Sequence, residues 1–184
     1  EQDYNPFINA QMGKKPEAVF SSIWGGFFVT YSKQAKALGM FDALKYHFIG
    51  VGEAGSPDTT KSMGKDYPVG IWGNSYDAFY WGETPAHRDY TARLAKYLKD
   101  EYPSSWAIQG YTGMQFLVEA ITKAGSTDSD KVAKALLGLT IDTPIGKQTI
   151  REKDHQANRG QLYGKTVMDP KYPFPIMKPV EYVD

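Results

Sequence analysis

The stretch Glu17–Phe41, EAVFSSIWGGFFVTYSKQAKALGMF, decides the fold. Its first part, Ala18-Val19-Phe20-Ser21-Ser22-Ile23, is a short run rich in apolar and β-branched residues and reads as a strand. Trp24-Gly25-Gly26-Phe27 follows at the strand's C-terminal end. Phe28, Tyr31, Ala35 and Leu38 then recur at helical spacing, and Gly39 is a helix stop. In open α/β sheets, ligands sit beyond the C-terminal ends of the strands. Two glycines at that place let a ligand approach the backbone, and two aromatics supply an apolar wall. The start of the helix offers N–H groups to an anion. The same pattern also fits a plain strand–helix turn whose aromatics belong to the core.

Outward from this unit, strand and helix signals alternate. Residues 1–15 read as a short helix or turn, and Tyr46–Val51, YHFIGV, as a second strand ending in Gly52-Glu53-Ala54-Gly55. Ser56-Pro57 is a helix start, with serine as the cap and proline in the first position. Tyr67–Ser75 reads as a third strand. Thr84-Pro85 opens a long amphipathic helix to about Tyr102, stopped by Pro103. A second long helix runs from Ser104 or Ser105 to Ala124, before Gly125. A third, Asp130–Leu137, is capped by Asp128 or Ser129. Thr143–Ile150, Gln161–Met168 and Lys178–Val183 are β-like, and Pro-rich Tyr172–Pro175 reads as extended. The alternation predicts an α/β fold with mainly parallel sheets and flanking helices.

Composition narrows the function. The 184 residues carry 21 Lys+Arg and 21 Asp+Glu, a formal net charge of zero. With no run of like charge and no aromatic–basic stripe, a nucleic-acid partner is not expected. Cysteine is absent, which excludes disulfides, thiolate metal sites and cysteine nucleophiles. No apolar run approaches the roughly 18–20 residues of a membrane helix. His47, His87 and His155 are scattered without metal-ligand spacing, and Asp128, Asp130 and Asp142 are too dispersed for a calcium loop. Neither a nucleophile–base pair nor a phosphate loop can be assembled, so neither catalysis nor a cofactor is expected.

In order and spacing, several pieces resemble the type I periplasmic solute-binding proteins of branched-chain amino acid ABC transporters, also called extracellular ligand-binding receptors. They are the opening stretch, HFIGVGEAG (47–55), PVGIWGNSYDAFY (68–80), the long segment 84–128, 132–160 and QLYGKTVM (161–168). Members of that family are usually about twice as long, with two lobes. The resemblance implies that this chain is a C-terminal half. Residues 1–77 and 159–184 would form the second lobe, residues 78–158 the returning part of the first lobe, and Asn74–Glu83 a crossover. The N-terminal half of the full protein would be absent. An incomplete first-lobe sheet would expose apolar surface. Pairing with the missing half, self-association or aggregation is therefore expected.

The resemblance also assigns a site. It implies that Glu53, in GVGEAG, holds a ligand ammonium; a solvent-facing loop glutamate is the alternative. Trp24, Gly25, Gly26 and Phe27 would contact ligand, with Phe27 where the branched-chain binders tend to have tyrosine; packing beneath the helix is the alternative for Phe27. Losing that hydroxyl favours an apolar or aromatic ligand part. Tyr76 is the best candidate in the aromatic run Tyr76, Phe79, Tyr80, Trp81, most of which fits hinge packing; Gln109 and Tyr111 read as ordinary helix packing. The implied function is binding without catalysis. A small carboxylate-bearing solute, such as a branched-chain or aromatic amino acid or an aromatic acid, would be held in a cleft between two lobes and passed to an ABC permease in the inner membrane. The location would be periplasmic, or extracellular and lipid-anchored. A ligand-sensing regulator of the same fold, for an amide or amino acid, is the alternative.

Overall fold

The computed structural model describes residues 2–44 and 47–183; Tyr46, which opens the expected second strand, lies outside the described residues. The chain divides into two compact units, one built from the residues up to Ala78 with Gln161–Val183, the other from Phe79–Gly160.

The first, a sheet unit, holds helix α1 (Asn5–Gly13), strand β1 (Ala18–Ser21), helices α2 (Gly25–Ala37) and α3 (Met40–Ala43), strand β2 (His47–Gly50), helix α4 (Pro57–Met63) and strand β3 (Trp72–Ser75). The returning strands β6 (Gln161–Val167) and β7 (Ile176–Val183) complete it. The sheet order is β1-β2-β3-β6-β7. β1, β2 and β3 run parallel, with Ser21 opposite Gly50 and Gly50 opposite Gly73. β6 and β7 are antiparallel additions at the far edge, Ser75 lying opposite Leu162. This is an α/β fold with a parallel heart and flanking helices.

The expected strand Tyr67–Ser75 is shorter, only Trp72–Ser75. Pro68 cannot donate to a ladder, and Thr166 of β6 takes over the segment before β3. Its carbonyl accepts from the Gly70 N–H at 2.7 Å, and its hydroxyl donates to the Pro68 carbonyl at 3.0 Å. Tyr67, freed from the strand, turns inward and donates its hydroxyl to the Ala54 carbonyl. The core gathers its ring with Phe28, Tyr31 and Phe48. Phe28 lies 6.1 Å from Phe48 and 6.4 Å from Tyr67 between ring centroids. Burial pushes the Tyr31 hydroxyl up to about 12, and raises that of Tyr67. Tyr172–Pro175 bends rather than extends: the Asp169 carbonyl accepts from the Tyr172 N–H at 3.0 Å, and Phe174 is buried.

The second unit is mainly helical: α5 (Pro85–Leu98), α6 (Ala107–Ala124), α7 (Ser129–Leu136) and an antiparallel hairpin, β4 (Thr140–Thr143) and β5 (Gly146–Thr149). Thr84 caps α5, its hydroxyl accepting from the His87 N–H at 3.0 Å and donating to the Pro144 carbonyl at 3.0 Å. Asp128 caps α7 through the Lys131 N–H at 3.1 Å. α5 stops four residues before Tyr102 because Lys99 turns left-handed and the Asp100 N–H closes onto Ala95 at 3.1 Å. α6 begins at Ala107, later than Ser104 or Ser105, because the Ser104 hydroxyl instead accepts from the Trp106 N–H at 3.2 Å in the turn before it.

Candidate ligand-binding site

Three connections leave the same edge of the sheet unit, at the C-terminal ends of the parallel strands β1, β2 and β3. The β1–α2 turn carries Trp24, Gly25, Gly26 and Phe27. The β2–α4 loop carries Glu53. Tyr76 follows the end of β3.

The first two loops touch through Gly52. A Cβ there would lie 2.3 Å from the Ile23 carbonyl oxygen, so only glycine lets the two backbones meet. The Val51 N–H also donates to the Ser21 carbonyl at 2.9 Å, which carries the β1–β2 pairing one step into the loops. On the other side, the β2–α4 loop lies on β3. A Cβ at Gly73 would come within 2.4 Å of the Gly55 nitrogen, and the Gly55 N–H donates to the Asn74 carbonyl at 3.1 Å. Ser56 caps α4, accepting from the Asp58 N–H at 3.2 Å, as serine before proline foretells.

The β1–α2 turn differs in that it is open. No side chain caps α2, and no acidic residue sits in its first turn, so the positive end of a 13-residue helix is presented at the sheet edge. Trp24 and Phe27 are each 59 % exposed, and Phe28, the next residue, is the one that fills the core. Packing of Phe27 beneath the helix, the alternative weighed from sequence, is therefore not what the turn does.

Glu53 is 7 % exposed, which removes the reading of a solvent-facing loop glutamate. Its φ is +61°, a left-handed value that a residue with a Cβ rarely takes. Its N–H donates to the side-chain oxygen of Asn74 at 2.8 Å. Asn74 in turn donates to the Gln161 side-chain oxygen on β6. Tyr76 is half-buried beside the tight turn in which the Ser75 hydroxyl donates to the Asp77 carbonyl at 2.5 Å. The topology thus brings all six sequence-selected residues to one edge. Asn74 and Gln161 were missed from sequence, because an amide in a strand carries no pattern that points to its partner.

Other depressions lie elsewhere. A groove of about 570 Å³ on the helical unit is lined by Tyr111, Met114, Gln115, Val118 and Asp142 among others, none of which carries a site signal in sequence. Among the described residues no cluster of three His, Asp or Glu side chains is placed to hold a metal ion, and no helix is long and apolar enough to cross a membrane.

Comparison with known proteins gives this edge its context. The model of a family described as periplasmic binding protein matches residues 1–164. The chain belongs to that family. Solved structures share the fold of this periplasmic binding protein. One is a solute-binding protein of an ABC transporter from Rhodopseudomonas palustris BisB5 in complex with 3,4-dihydroxybenzoic acid. It is 22 % identical with a TM-score of 0.81, over 98 % of this chain and 49 % of that one. Another is a leucine-, isoleucine-, valine-, threonine- and alanine-binding protein from Brucella ovis, 18 % identical with a TM-score of 0.78, over 100 % of this chain and 49 % of that one. A curated relative, limonene hydroxylase of Geobacillus stearothermophilus, is 31 % identical over 112 residues, 60 % of this chain and 20 % of that protein. The chain spans about half the length of these structural neighbours and a fifth of the curated relative.

Proposed function

We propose that this periplasmic binding protein is the solute-binding component of an ABC transporter, and that the sheet unit supplies one wall of its site. The observation that carries this reading is the uncapped start of α2 beside half-exposed Trp24 and Phe27, with buried Glu53 at the same strand edge. The helix start accommodates a carboxylate by its N–H groups and its positive end. The two rings cover an apolar or aromatic body. Glu53 then faces the other pole of the solute, an ammonium, through charge-assisted hydrogen bonds of roughly 1.5–3 kcal/mol each. Tyr76 adds a flank. The solute is thus a branched-chain or aromatic amino acid in preference to an aromatic acid without an ammonium.

The 49 % coverage of the structural neighbours supports a two-lobed protein whose facing wall comes from the half of the family fold outside these residues. In that protein the sheet unit is the second lobe, residues 78–158 are the returning part of the first, and hinge closure on the solute is what an inner-membrane permease recognises. The protein works in the periplasm or on a lipid anchor. No bond is made or broken in this reading. The hydroxylase likeness, confined to a fifth of that enzyme, does not alter it.

Thermal shifts of the full-length protein test the proposal. A ligand at 100 times its Kd adds about 2.7 kcal/mol of stability. Amino acids and aromatic acids are expected to raise the melting temperature, amides and urea not. A flat profile across all carboxylates overturns the solute-binding reading. Glu53→Gln is expected to weaken an amino acid about tenfold or more; unchanged affinity sinks the role of Glu53.

A further inference from the structure

We propose that Asn74 is a positioning residue for solute binding: its side-chain amide holds Glu53 in the left-handed conformation and so sets where the Glu53 carboxylate stands. The inference rests on the solute-binding reading above and adds a residue that neither the sequence pattern nor the family resemblance selects.

The starting point is an anomaly in the β2–α4 loop. Glycines occupy positions 52 and 55, yet the residue with positive φ between them is a glutamate. A left-handed backbone is strained for a residue with a Cβ, while glycine takes it without that penalty. Such outliers persist where the surroundings over-determine them, and they gather at ligand sites. Here the Ser56 N–H donates to the Glu53 carbonyl at 3.0 Å and the Tyr67 hydroxyl to the Ala54 carbonyl, and Asn74 supplies two further bonds from the neighbouring strand. Asn74 is 2 % exposed and grips the loop on both sides of Glu53. Its side-chain oxygen accepts from the Glu53 N–H at 2.8 Å, and its carbonyl accepts from the Gly55 N–H at 3.1 Å.

Asn74 is itself fixed. It sits in β3, where it lies opposite Tyr163 of β6, and its amide nitrogen donates to Gln161, the first residue of that strand. The chain Gln161–Asn74–Glu53 therefore runs from a strand that returns 87 residues later to the loop at the solute edge. A residue without an acceptor at position 74 leaves the Glu53 N–H buried and unmatched, and removes the strand-side bond that favours the left-handed turn. The carboxylate then swings with the backbone, because a change of φ at Glu53 rotates its Cα–Cβ bond.

The test uses ligand pairs that differ by one ammonium: L-leucine against 4-methylpentanoate, and L-phenylalanine against 3-phenylpropanoate. Affinities are measured by titration calorimetry on the full-length protein. Asn74→Ala is expected to weaken the amino acids about tenfold or more and the acids by less than about twofold. In a Glu53→Gln background the same change is expected to leave all four affinities within about twofold, because the interaction it supports is already gone. Asn74→Asp keeps the acceptor for the Glu53 N–H, and is expected to retain the preference for the amino acids even if Asn74→Ala does not fold. Equal losses for both members of a pair overturn the positioning role. So does an undiminished loss in the Glu53→Gln background, or a folded Asn74→Asp protein without the preference. A wild-type protein that binds neither pair overturns the solute-binding reading and this proposal with it. A wild type that binds while the variants behave as a merely structural change requires overturns this proposal alone.

Discussion

The sheet unit and the helical unit are built from different stock. The first packs four aromatic rings, Phe28, Tyr31, Phe48 and Tyr67, into one cluster around β2 and α2. In the second, α6 meets α7 through buried Ala120, Val132 and Ala135, with partly buried Ile121 and Leu136 beside them. Rings of this size bury far more apolar surface per residue than alanine or valine, and ring pairs add to that. The sheet unit therefore sets the Glu53 loop on a large buried aromatic core. The helical unit has ring contacts of its own, Tyr90 with Tyr111 at 4.9 Å and Trp81 with His87 at 5.0 Å, but they lie away from the α6–α7 contact.

The largest effect should fall on that contrast. Phe28→Ala removes the ring shared by three aromatic neighbours and is expected to cost about 3–5 kcal/mol. Val132→Ala removes two carbons from a shallow cluster and is expected to cost about 1–2 kcal/mol. Urea unfolding of both variants measures the difference. Equal losses would break the comparison, because they would mean that the small-residue contact of α6 and α7 is as demanding as the aromatic core.

An alkaline limit specific to the sheet unit is the next effect. Burial lifts Tyr31 to about 12 and raises Tyr67 as well. A tyrosine whose folded value lies above its unfolded value of about 10 contributes stability that is fully present below pH 10. Between about pH 10 and 12 the unfolded chain sheds the proton while the folded chain keeps it, so stability falls as pH rises. Melting followed by near-ultraviolet circular dichroism should show the loss starting above pH 10. Tyr31→Phe, at the expense of the hydrogen bond to the Gln11 side chain at 2.9 Å, should flatten the slope. A slope unchanged by Tyr31→Phe together with Tyr67→Phe would place the titrating groups elsewhere.

The same contrast explains what could be read in the sequence. Signals that close within a few residues were legible. Ser56-Pro57, Thr84-Pro85 and Asp128 cap the helices they announce, since the cap oxygen and the N–H that donates to it lie within one turn. The left-handed Gly39 follows α2 as expected. What depends on distant partners was not legible. The shortening of β3 is imposed by Thr166, 95 residues after Ile71. The antiparallel sense of β6 and β7 follows from the route of the intervening chain rather than from their own residues. At the site, the open β1–α2 turn was visible because Gly25, Gly26 and the aromatics are adjacent in sequence. The clamp on Glu53 was not, since Asn74 comes 21 residues later and Gln161 a further 87.

The smallest effect on stability should come from the outer face of α6, and it sharpens the comparison from the other side. Met114 and Val118, four residues apart and so on one face of the helix, are 58 % and 55 % exposed, with Leu117 beside them. The buried face of the same helix is used by Ile108, Thr112, Phe116 and Ala120. Side chains that bury little surface contribute little to folding, so Met114→Ser with Val118→Ser should shift the unfolding free energy by no more than about 0.5 kcal/mol per site. Contiguous exposed apolar groups do favour contact between molecules. Light scattering of the 184-residue chain at rising concentration should therefore give a lower mean mass for the double variant than for the parent. A melting temperature lowered by several degrees would mean that this face is already packed within the unit. Unchanged association together with unchanged stability would mean that copies meet through another surface, such as exposed Phe20 and Trp72 of the sheet unit. In that case the aromatic-rich unit, rather than the helical one, would be the sticky half of the chain.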